Sequence, residues 1–125
     1  MLRSLEQDRA KYAMTSIMSI KSADTTVQKN YKSYVKSASM LILINGLGNA
    51  LAFIKSKKKD GDAYDRLYKH LNEWLEEKEI ISKTDVLEWI TKEDTTSLQI
   101  HRATDEILAL LNWMKRFADA ELKED

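Results

Sequence analysis

Apolar residues recur along the chain at intervals of three and four, and no segment alternates every second residue for long enough to form a convincing strand. Ala10, Ala13, Met14, Ile17 and Met18 fall at i, i+3, i+4, i+7 and i+8, the stripe that one face of an α-helix buries. Val27, Tyr31, Tyr34, Val35 and Ala38 predict a second helix, with Asp24 or Thr25 placed to cap it. From Met40 to Ile54 apolar residues occupy nearly every face, which predicts a third helix buried at the centre of the fold. Tyr64, Leu67, Tyr68, Leu71, Trp74 and Leu75 mark a fourth. Ser82 and Asp85 approximate a capping box ahead of a short helix from Val86 to about Lys92. A last long helix starts near Thr95 or Thr96 and carries Ile100, Ala103, Ile107, Leu110, Leu111, Met114, Phe117 and Ala118. These stripes predict an all-α fold, a compact single-domain bundle of about five or six helices over residues 1–125.

Punctuation is sparse: the chain has no proline and three glycines. Lys55, Lys57, Lys58 and Lys59 complement a helix C-terminus, and Gly61 follows them. Gly46 and Gly48 lie within a helical stretch, where each glycine costs about 1 kcal/mol against alanine. Close approach of a neighbouring helix accounts for them, with a local kink as the alternative. A nucleotide loop does not, since no strand precedes the pair and no third glycine completes the spacing.

A length of 125 residues suits one core. The absence of cysteine excludes disulfides, a thiolate nucleophile and Cys-ligated zinc. The longest unbroken apolar run, Met40 to Ile44, is far short of the ~18 residues of a membrane span. The opening residues show no apolar core of a secretory signal, so a cytoplasmic protein without membrane contact is expected. Net charge is zero, from 20 basic and 20 acidic residues, but the halves differ. Residues 1–63 hold 11 basic and 5 acidic side chains, a net +6, and residues 64–125 hold 9 and 15, a net −6. If the bundle keeps these halves on opposite sides, open-ended head-to-tail self-association follows.

Candidate chemistry is thin. His101 and Asp105 form an i,i+4 pair typical of a helix surface. There is no H-E-x-x-H, P-loop or G-x-S-x-G, so no catalytic residue, metal or cofactor is expected. Trp74 belongs to a core stripe, whereas Trp89 and Trp113 lie where either an interface anchor or a base-stacking platform is open. The lysines say more. Lys29, Lys32 and Lys36 fall within about 60° on one helix face at 100° per residue. No carboxylate lies between Thr25 and Lys59, a stretch with seven lysines. A solvated face explains this, and so does a surface that tracks phosphates without reading bases.

Two segments carry a family resemblance. One is Asn45 to Lys57, opening Asn45-Gly46-Leu47-Gly48-Asn49; the other is Arg102 to Ala118, containing Trp113-Met114-Lys115-Arg116-Phe117-Ala118. With Glu6 to Ala13, they resemble the small all-helical subunit of type III-B CRISPR (Cmr) RNA-guided complexes, over nearly the whole chain. The resemblance implies a non-catalytic subunit in antiviral defence, stacked into a short filament beside the backbone subunits and lining the groove where target RNA pairs with guide RNA. Its implied partners are the backbone subunit, the Cas10-like large subunit, and guide and target RNA. Base pairing supplies specificity in RNA-guided systems, so backbone contacts suffice for the protein. Lys55 and Lys57 in one motif, and Lys115 and Arg116 in the other, are the resulting candidates; Lys29, Lys32 and Lys36 rest on the stripe alone. A helical protein–protein adaptor with no nucleic-acid contact is the competing expectation.

Overall fold

The computed structural model describes residues 3–123 and is all-α, with five helices and, among the described residues, no strand. They are α1 (Leu5–Lys21), α2 (Thr25–Lys57), α3 (Ala63–Glu77), α4 (Val86–Ile90) and α5 (Ser97–Glu121). Each starts where a short polar side chain accepts the first orphan N–H groups. Asp24, not Thr25, caps α2, and Thr96 caps α5 with Gln99 returning the bond in a capping box. Ser4 and Gln7 build the same box on α1. The pairing of Ser82 with Asp85 is not found. Asp85 itself is the N-cap of α4, accepting from Leu87 N and Glu88 N, and that helix ends at Ile90.

The second and third expected helices are one element, α2, broken at Gly46 (φ 84°, ψ 161°). No other residue type adopts that backbone readily, so the glycine marks a kink. Space around Gly46 is open, and no neighbour approaches it. Gly48 is helical, with Ile90 of α4 at ordinary contact distance, 3.7 Å from where a Cβ would stand. The bend is large. Tyr34 stacks on Tyr64 at 3.7 Å between ring centroids, and Phe53 meets the edge of the same ring at 6.4 Å. Nineteen residues of straight helix would hold Tyr34 and Phe53 about 28 Å apart, too far for one ring to meet both.

The bend also corrects the expectation of a uniformly buried third helix. Ile42, Leu47, Ala50, Leu51 and Ile54 are buried, but Met40, Leu43 and Ile44 stand 58%, 68% and 71% exposed on the outer corner. By length and a mean hydropathy of 1.6 over its most apolar window, α2 is the one helix among the described residues that passes for a membrane span. One third of that window is buried, and the break and the packing of both arms on α3 tie the helix into the bundle.

α5 packs most extensively on α1 and on the first arm of α2, and α3 packs on α2. Gln28, Lys32 and Lys36 meet Lys123, Leu122 and Asp119 in turn, so α2 and α5 run antiparallel there. Trp74, Tyr31, Leu71, Ile107, Leu110, Leu111 and Met114 are fully enclosed at the centre.

Candidate nucleic-acid interface

The lysine stripe of α2 does not form the open face its spacing suggests. Lys32 is only 5% exposed, and its Nζ lies 3.5 Å from the Leu122 carbonyl oxygen. Lys29 is half-buried, and the exposed Lys36 pairs with Asp119 at 2.9 Å. The cause is register. The stripe borders the buried face Gln28–Tyr31–Val35, and the end of α5 covers that border. A lysine so enclosed cannot reach a phosphate, so Lys32 leaves the candidate set.

Lys55 and Lys57 lie in the exposed last turn of α2. The Lys55 Nζ reaches Asp85 at 3.3 Å and lies 5.6 Å from the Tyr68 ring centroid. Asp85 is already the α4 cap and accepts from the Tyr68 hydroxyl at 2.6 Å. Burial pushes its carboxyl upward, but these hydrogen bonds hold it below the usual range. Lys57 lies over Phe53 and has no carboxylate partner among the described residues. Lys58 is committed to the buried Asp65, which also accepts from Gly61 N and Lys69.

Lys115 and Arg116 flank an open groove between α1 and α5, lined also by Glu6, Asn112, Trp113 and Asp119. Neither cation has an ion-pair partner among the described residues. Trp113 is half-buried and donates to Glu6 Oε2 at 2.9 Å. That hydrogen bond, then the one from Arg9, holds the Glu6 carboxyl below its usual range. Trp89, the other open case, is buried in the core. His101 and Asp105 are 3.5 Å apart and both exposed, a surface pair. No group of three or more metal-ligating side chains forms among the described residues.

The charge halves meet in ion pairs. Arg9–Glu106, Lys21–Glu121, Lys36–Asp119, Lys55–Asp85 and Lys58–Asp65 all join the basic half to the acidic half. These pairs spend part of each half's charge where the two halves meet. The sequence pattern also hides a buried polar centre. Arg9 binds Glu106 through Nε and Nη2 at 2.7 and 2.9 Å, and Trp74 Nε1 donates to the same carboxylate at 3.1 Å. Glu106 adjoins the stripe residues Ala103, Ile107 and Leu110, and that adjacency is the signal that marks it as inward-facing.

Fold and surface define the class first: a small all-helical domain whose seams are crossed by ion pairs, with Lys57, Lys115 and Arg116 among the cations that have no carboxylate partner among the described residues. The family model described as CRISPR-associated protein (Cas_Cmr5) matches residues 5–121. The crystal structure of a CRISPR-associated Cmr5 family protein from Thermus thermophilus superposes with a TM-score of 0.77 at 27% identity, covering 98% of this chain and 100% of that one. The chain belongs to the Cmr5 family, and with that it is a small subunit of a Cmr complex in CRISPR defence, with other Cmr subunits as its partners.

Proposed function

We propose that this subunit is non-catalytic and cytoplasmic, stacks with its own copies beside the backbone and Cas10-like subunits, and contacts guide and target RNA through phosphates alone. The observation that carries the RNA contact is that Lys57, Lys115 and Arg116 lie at or near the surface with no carboxylate partner among the described residues. Lys55 supports the same edge with a shared pairing to Asp85. Lys29 and Lys36 are secondary, because both lie beside the α5 seam. Backbone contact needs no more, since base pairing between the RNAs carries sequence.

Binding of single-stranded RNA across a salt series tests this. With n phosphate contacts, log affinity falls with a slope of about −0.7n against log salt. Replacing Lys57, Lys115 and Arg116 together by Glu should flatten the slope by roughly 2; an unchanged slope removes them from the interface.

The adaptor reading is favoured by one observation, the exposed corner of Met40, Leu43 and Ile44. It predicts co-purification with protein partners that nuclease does not disturb, and no affinity for RNA. In the filament reading the same corner supplies a contact to a neighbouring chain.

A further inference from the structure

The groove between α1 and α5 combines features that a phosphate-tracking edge alone does not need. It is an open groove of about 650 Å³. Trp113 is held in one orientation from two directions: its indole N–H is bound to Glu6, and its ring lies 5.7 Å from Phe117 at 33°. An aromatic face fixed in advance loses little freedom when another ring stacks on it.

The groove's charges are sorted as well. Both of its carboxylates are engaged, Glu6 with Arg9 and Trp113, and Asp119 with Lys36. Its two cations and the Asn112 amide are uncommitted among the described residues. Arg9 is shared between Glu6 and Glu106, so what the groove offers an incoming group is a fixed ring, an amide and two cations beside two hydrogen-bonded carboxylates.

We propose that this groove holds one unpaired nucleotide of single-stranded RNA, with its base against Trp113 and its phosphate on Lys115 and Arg116. The assignment rests on the RNA-binding function above and adds a base contact to it. Stacking on an indole is tolerant of sequence, since every base has a π-face.

Tryptophan fluorescence tests it in the Trp89→Phe variant, where Trp113 is the one tryptophan near solvent and Trp74 stays enclosed. A 12-nucleotide oligouridylate should quench the emission in step with binding, and an RNA duplex, whose bases are already stacked, should not. Trp113→Leu should weaken oligouridylate binding roughly tenfold with an unchanged salt slope. Binding without quenching, or equal quenching by duplex, overturns the base contact and leaves the phosphate contacts standing. Unaltered affinity in Trp113→Leu does the same and returns the groove to a protein partner. No binding of any RNA removes both assignments. The quenching measurement keeps Trp113 in place, so it decides even if Trp113→Leu fails to fold.

Discussion

The Tyr31 hydroxyl lies 2.6 Å from Nδ1 of His70 in the contact between α2 and α3, with the Tyr31 side chain wholly enclosed. Burial raises the Tyr31 phenol well above its ordinary value, so the hydroxyl stays protonated in this contact. Burial, and secondarily Arg66, lowers His70 to about 4.

A pH dependence follows. Above about pH 6.5 His70 is neutral in both folded and unfolded chains and contributes nothing to the slope. Between about 6.5 and 4 the unfolded chain takes up a proton that the folded chain refuses, so stability falls as pH falls, by about 3 kcal/mol in all. His70→Gln keeps an acceptor and removes the titration. Urea unfolding between pH 7 and 4 should show a shallower loss in this variant than in the parent.

The Arg9–Glu106–Trp74 centre predicts a cost out of scale with surface ion pairs. Arg9→Leu strands a nearly buried carboxylate and should destabilise by about 3 kcal/mol. Adding Glu106→Gln removes the charge while keeping an acceptor for Trp74, and should recover more than half of the loss. Equilibrium denaturation of the single and double variants measures both.

The two glycines of α2 should respond to alanine with opposite signs. Gly46→Ala forces a Cβ onto a backbone at φ 84° and should cost about 2 kcal/mol, although the space around it is open. Gly48→Ala meets only Ile90 at 3.7 Å and should stabilise by about 1 kcal/mol through helix propensity. Thermal unfolding of both variants is the check.

Helix positions and most caps were legible because amphipathic spacing and N-cap chemistry are local. What was not legible depends on the bend. Nothing local distinguishes Gly46, which breaks the helix, from Gly48, which does not. Without the bend, Met40, Leu43 and Ile44 read as core. Lys32 misled for a related reason: it borders the buried face Gln28–Tyr31–Val35, and the distant end of α5 closes over that border. At the candidate interface, Lys57, Lys115 and Arg116 were named from motifs. Which lysines are already paired, as Lys36 is with Asp119, is a tertiary fact.

Lys32 and Lys57 should therefore separate stability from RNA contact. Lys32→Glu places a carboxylate among buried groups beside the Leu122 carbonyl and should cost at least about 2 kcal/mol. Lys57→Glu should change stability by less than about 0.5 kcal/mol and flatten the RNA salt slope by about 0.7. Denaturation and binding measured on the same two variants check the contrast.

The shared ring of Tyr64 gives the break in α2 a consequence for how the domain comes apart. A helix interrupted at Gly46 would ordinarily let its two arms fray one at a time. Here both arms, through Tyr34 and Phe53, are fastened to one side chain in the first turn of α3. Loosening that turn frees both arms together, so amide protons in the two arms should exchange as one cooperative unit, while those at the outer corner around Ile44 exchange ahead of it.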